Sequence, residues 1–241
     1  MPFFSTLAGG VAAIRLRHRL HPFMAIASGV LVATAIVDLL PEAHALVGPT
    51  GVLEVGVAAL GGYLAFALLE AFIHQASFEH AGTNHDDGHA LAGGAPLVAA
   101  LPAASLIAHS TLDGLAIGFG FQAGTSVGLV VLLAVLAHDF ADGLNVVTLA
   151  LGAARGVKVA AVLLVLDAIA PVVGAALSVA ITIEPAVLGL MLAWFAGVFV
   201  AIGASHLLPE AQHHDAKAAP MLVGLAAVGA MIVIAVRALV A

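Results

Sequence analysis

The chain has 241 residues, 63% hydrophobic and 9% charged, with a formal net charge of −7 and no cysteine. Soluble domains carry about 25% charged residues. The polar surface here is too small to wrap a globule in water, and disulfides and thiolate metal sites are excluded. No basic cluster suits a nucleic-acid partner, and "MPFFSTLAGG" lacks the positive leader of a removable signal peptide.

Apolar runs recur along the whole chain and predict an all-α polytopic membrane protein, a single transmembrane domain over 1–241. In chain order the runs cover 3–14, 22–47, 51–75, 96–122, 125–152, 157–181, 185–210 and 219–241. This is an expectation of eight transmembrane helices, the first of them short. That first run would rise only about 18 Å against about 30 Å of hydrocarbon. It reads as tilted, partly exposed or a shortened start. Arg15, Arg17, Arg19, Arg155, Lys158 and Lys217 all fall on one side if the runs alternate, and only Arg237 falls elsewhere. The positive-inside rule then predicts both termini outside the cytoplasm.

The second run ends in "LLPEA", Leu39–Ala43, preceded by Asp38 and followed by His44. The third carries Glu70 and His74 at i,i+4 spacing and leads into a polar cytoplasmic loop at 76–95. The stretch "HQASFEHAGTNHDDGH" holds His74, His80, His85 and His89 beside Glu79, Asp86 and Asp87. It is either a solvated linker or a loose trap for a divalent metal, since His-rich tracts bind such ions.

The fourth run contains "HSTLDG" and the fifth "HDFADG". His109 matches His138, Asp113 matches Asp142, and Gly114 matches Gly143. An acid at the centre of a membrane helix costs about 2.5–3.5 kcal/mol on insertion scales, so such residues default to a functional reading. Each His-x-x-x-Asp pair spans about 40° of its helix and about 6 Å along it. Facing each other, two such pairs offer two imidazoles and two carboxylates around one point, a set for a divalent first-row metal. The paired glycines permit close helix approach. Helix–helix hydrogen bonding is the plain alternative, and it suits Ser110, Thr111 and Asn145 better than the four ionisable residues. A proton relay is a closer competitor. Asp139 follows His138 directly. In the sixth run Asp167 precedes Pro171 by one turn, where the proline frees a backbone carbonyl. Asp167 is a candidate fifth ligand or second-metal ligand.

The seventh run repeats "LLPEA" at Leu207–Ala211, preceded by His206 and followed by His213 and His214. The two copies leave the membrane on opposite faces, as an inverted repeat would. Asp38, Glu42 and His44 read as a metal entrance. His206, Glu210, His213 and His214, joined by Glu70 and His74, read as an exit.

These motifs resemble those of the ZIP family of zinc and iron transporters, from about His21 to the end of the chain. The resemblance implies a metal site with His109, Asp113, His138 and Asp142 as ligands, and Asp139 at a position tied to a second metal or to proton handling. It also implies an inverted helical fold, a homodimer, and an elevator-like slide of one helix group against another. The chain departs from the family's pattern at Ser110, where members often have Asn, and at Asp113 and Asp142, where they often have Glu at one or both positions. Ala170 stands before the span-six proline where many members carry an acid. The expected activity is uptake of a divalent cation across the plasma (inner) membrane into the cytoplasm. Zn²⁺ leads, with Fe²⁺, Mn²⁺ and Cd²⁺ fitting nearly as well, and no organic cofactor is expected. Two rival readings are a proton-coupled carrier of an organic solute and an intramembrane zinc hydrolase with Asp139 as general base. No phosphate loop and no His-Glu-x-x-His pair is present.

Overall fold

The computed structural model describes residues 1–15, 21–82, 101–152, 157–181, 183–213 and 216–240. Those residues are helical throughout, joined by short turns, with no strand among them. Helix α1 is Pro2–Arg15. Helix α2, His21–Ala33, continues through a π-helical segment, Thr34–Leu39, into α3, Leu40–Val47. Helix α4 is Val52–Gly82, α5 Leu101–Ala123, α6 Thr125–Gly152 and α7 Val157–Val179. Helix α8, Pro185–Val200, passes through a second π-helical segment, Ala201–Leu207, into α9, Leu208–His213. A 3₁₀ turn, Ala216–Ala218, leads to α10, Ala219–Val240.

By length and composition, six of these rods can cross a membrane: His21–Val47, Val52–Phe72, Thr125–Val147, Val157–Val179, Pro185–His213 and Ala219–Leu239. The chain is a multi-pass membrane protein. Helix α5 is not among the six because His109, Ser110, Thr111, Asp113 and Gln122 dilute its apolarity. Helix α1 contributes a shorter apolar stretch, Pro2–Ala12. The outward faces of α4 and α10 are apolar, with Leu53, Leu60, Leu64, Leu68 and Phe72 on one and Met221, Val228, Met231 and Leu239 on the other. Large apolar side chains facing outward are what hydrocarbon solvates and water does not.

The two π segments were not anticipated from periodicity, and both sit immediately before Leu-Pro-Glu-Ala. Pro41 and Pro209 each lack an N–H, and each ring crowds the carbonyl four residues back. A locally widened turn relieves that clash without ending the helix. Gly48, at φ 96°, then stops α3 in a conformation that favours glycine. Helix α4 runs on to Gly82, beyond the start of the stretch expected to be loop. Residues 83–100, and with them His85 and His89, lie outside the described residues.

Glycines set the helix spacing. A methyl group on Gly114 would lie 2.1 Å from the Pro171 carbonyl oxygen, and one on Gly174 would lie 2.0 Å from that of Thr111. Helices α5 and α7 therefore touch backbone to backbone. The same holds for α1 and α6, where Gly9 abuts Phe140 and Gly143 abuts Thr6. It holds again for α2 and α10 at Gly29 and Gly229, and for α4 and α8 at Gly62 and Gly197. These contacts divide the helices into two groups: α1, α5, α6 and α7, and then α2, α3, α4, α8, α9 and α10. Among the described residues, the glycine-mediated helix–helix contacts fall inside one group or the other.

Overpacking of this kind costs about 1–3 kcal/mol. Gly114→Ala is expected to lower the midpoint of thermal unfolding in detergent, because the added methyl meets backbone. Gly224→Ala, with nothing within 4 Å of the new methyl, is expected to leave it unchanged or raise it.

Candidate metal centre

Helix α5 brings His109 and Asp113 to one face, and α6 does the same for His138 and Asp142. The two faces meet. One ligand atom from each of the four residues lies within 4.8 Å of all the others. The imidazole Nε2 atoms of His109 and His138 both stand 3.3 Å from Asp113 Oδ2. His138 Nε2 is also 3.7 Å from Asp142 Oδ2. All four residues are buried, His138 completely.

These separations have a chemical meaning. Ligand bonds of 2.0–2.2 Å to a tetrahedral ion place neighbouring ligand atoms about 3.3–3.6 Å apart. The distances around Asp113 Oδ2 and His138 Nε2 match the edges of such a tetrahedron. His138 donates its Nδ1–H to the Ala134 carbonyl at 3.0 Å, which directs Nε2 at the carboxylates, 3.3 Å from Asp113 Oδ2. An imidazole anchored this way is a pre-oriented ligand. Aromatic rings wall the site. Phe66 of α4 lies 5.5 Å from the His109 ring, and Phe199 of α8 lies 6.0 Å from that of His138, centroid to centroid. Both rings come from the other helix group, so the site sits where the groups meet.

A family model described as ZIP Zinc transporter matches residues 75–236. The chain belongs to the ZIP zinc transporter family. The matched stretch contains all of the buried His/Asp group, and ZIP membership means a transporter of divalent metal rather than an enzyme.

The other residues singled out in this ZIP sequence are distributed unevenly. Asp139 is buried beside His138, and neither of its carboxylate oxygens has a hydrogen-bond partner. Asp167 stands outside the four-residue group. Its Oδ1 accepts a 2.7 Å hydrogen bond from Ser110 Oγ, and its Oδ2 is buried without a partner. Ser110 thus ties α5 to α7 beside the site, and Gln122 ties them again by donating to the Ser178 and Ile181 carbonyls. Of the residues read as an entrance, Glu42 and His44 lie half-buried on α3, and Asp38, one turn before Glu42, is buried and faces Arg237. Of the residues read as an exit, Glu70 and His206 meet as a hydrogen-bonded ion pair. Tyr63 and Ser205 share a hydrogen bond nearby. Glu210 and His213 lie exposed on α9. The side chains of His74 and His80, and all of His214, lie outside the described residues.

Sequence reasoning missed the partners. Phe66 and Phe199 carried no signal that separates a site wall from ordinary core. Arg237 did carry one, as the basic residue that broke the charge asymmetry.

Ser110→Ala would leave the buried Asp167 carboxylate with no donor. The expected loss is about 1–3 kcal/mol of stability, read as a lower unfolding midpoint. Adding Asp167→Leu, which removes the orphaned carboxylate, should recover much of that loss.

Proposed function

We propose that His109, Asp113, His138 and Asp142 bind the transported ion directly, and that the ion is Zn²⁺ moving into the cytoplasm. One observation carries this reading: four imidazole and carboxylate ligand atoms converge in the buried interior within 4.8 Å of one another, the two histidines each 3.3 Å from Asp113 Oδ2. Without a cation, two carboxylates and two imidazoles in so apolar a place would be costly. With one, their repulsion becomes attraction. Imidazole and carboxylate together, with no thiolate, suit Zn²⁺, while Fe²⁺, Mn²⁺ and Cd²⁺ are the natural competitors. Asp139, with both oxygens free of partners, is placed to join the set as the ion arrives or to serve a second ion. Asp167 would first have to give up Ser110.

Eight spans fit the helix order, with α2–α3 and α8–α9 each counted as one rod and α1 as the short first span. An inverted repeat is supported by the matched details of those two rods. Each contains a π segment before Leu-Pro-Glu-Ala, and each is clasped through glycines, α2 by α10 and α8 by α4. The two glycine-packed groups are the parts that would slide past one another in an elevator-like motion, with the site between them. The clustering of Arg15, Arg17, Arg19, Arg155, Lys158 and Lys217 supports extracytoplasmic termini in a plasma membrane. The loop expected at 76–95 would then gather cytoplasmic metal as it leaves. A homodimer is the assembly in which we would first look for activity.

The test is zinc flux in vesicles made with this protein alone. His138→Ala and Asp142→Ala are each expected to weaken saturable zinc uptake at least tenfold. Loss of a direct ligand should exceed the about 10–100-fold cost of losing an outer partner. Undiminished saturable uptake by the folded double variant would reject the site. Uptake unchanged in magnitude when Mn²⁺ or Cd²⁺ replaces Zn²⁺ would reject the assignment to zinc.

A further inference from the structure

Asp38, in the second span, is 1% exposed, and among the described residues neither carboxylate oxygen has an aligned hydrogen-bond donor. Its charge is met instead by Arg237 of α10, whose Nη1 lies 3.0 Å from Oδ1. The same Nη1 donates to Ser126 Oγ, at 3.1 Å, in the first turn of α6. Arg237 is about one-third exposed, so its head reaches inward from the surface to cover a hidden acid. Glu42 stands one turn beyond Asp38 and interacts with it electrostatically. An acid ladder therefore leads from the mouth of α3 to the guanidinium. His138 follows Ser126 by 12 residues on α6, about 18 Å of helical rise. The Asp38–Arg237 pair is thus a separate feature, near one end of the molecule and well away from the proposed ion site.

The position of this bond in the fold is informative. Asp38 and Arg237 belong to one helix group and Ser126 to the other. The bonds Ser110–Asp167, Gln122–Ser178 and His206–Glu70 each stay inside a group. Arg237–Ser126 crosses between them, so any slide of α6 against α10 must break it.

We propose that Asp38 is a cation-binding station plugged by the chain's own cation, Arg237, and that an arriving divalent metal displaces the guanidinium and releases its hold on Ser126. The chemistry is competition for one carboxylate. A divalent ion passing Glu42 offers Asp38 a higher charge than the guanidinium does, and hydrating the displaced arginine at the surface is easy because its head is already partly exposed. Displacement removes the polar bond between the helix groups at this end, so metal arrival and unlatching become one event. This rests on the chain carrying divalent cations through the His/Asp site.

The chain contains no cysteine, so single engineered thiols report opening directly. Thr34 lies one turn inward from Asp38, buried, its hydroxyl unpartnered. In a Thr34→Cys background, Arg237→Gln is expected to speed modification by a charged, water-soluble thiol reagent about fivefold, the scale of a partly exposed ion pair. A control thiol at Thr6, buried in the other group, should not change. Unchanged labelling at Thr34, or equal acceleration at Thr6, would overturn the latch. In vesicles, Arg237→Gln should lower the KM for zinc about fivefold, and Asp38→Asn should raise it. The neutral Asp38→Asn/Arg237→Gln pair should label Thr34→Cys quickly yet lose the gain in KM. That neutral pair also serves if Arg237→Gln alone fails to fold. A KM indifferent to all three variants would remove the cation station. Labelling needs no transported metal, so it stands apart from the His138 and Asp142 flux test. Failure of that test with intact labelling rejects the ion site, and failure of labelling with His138-dependent flux rejects the latch alone.

Discussion

Asp113 Oδ2 is the point on which the molecule turns. Two imidazole nitrogens approach it to 3.3 Å from two different helices, in an interior built mainly of alanine, valine, leucine and phenylalanine. A carboxylate held there has little water to solvate it, so it must be solvated by protein or by an ion. The two histidines do part of that work, and Asp142 adds a second negative charge beside them. A divalent cation among them would complete the balance. Bringing four short polar side chains to one buried point is demanding, and that demand passes outward to the helices.

Helix spacing answers it. Side chains as short as aspartate reach a shared point only if their backbones come close. Glycines at 114, 118 and 174 hold α5 against α7, and those at 9 and 143 hold α1 against α6. Helix α1, too short to look like a full span, therefore serves as a brace for α6 along the residues that carry "HDFADG". Ser5 adds a 2.7 Å hydrogen bond to the Leu136 carbonyl, two residues before His138. The other group is assembled by the same means. Each group is thus tightly knit within itself, while the boundary between them holds rings such as Phe66, Phe119, Phe195 and Phe199.

The acids outside the four-residue group fall into a second pattern. Asp167 has Ser110, Glu70 has His206, and Asp38 has Arg237. Burying an acid in a membrane protein is tolerable when a partner is built in, and each of these has one. Asp139 does not, among the described residues, and it directly follows His138 of the four-residue group. The partners also differ in kind. A serine donates one fixed hydrogen bond, whereas an arginine or histidine can be displaced by a competing cation, which suits positions nearer the ends of the molecule.

Much of this was legible in the chain itself. Composition required a membrane protein, and the His-x-x-x-Asp spacing placed each pair on one helical face, because the helical period alone decides which neighbours share a side. The duplicated "LLPEA" marked the two matching rods, although the wide turns before Pro41 and Pro209 were not foreseen. Only the tertiary structure decided which faces meet. Ser110 and Asp167 are 57 residues apart, and Arg237 and Ser126 are 111 apart. It gave Arg237 its counter-ion and left Asp167 outside the four-residue group. The physical reason is that spacing along a helix is a local property of the backbone, whereas a contact between helices depends on the shapes of both surfaces and on every other helix competing for them.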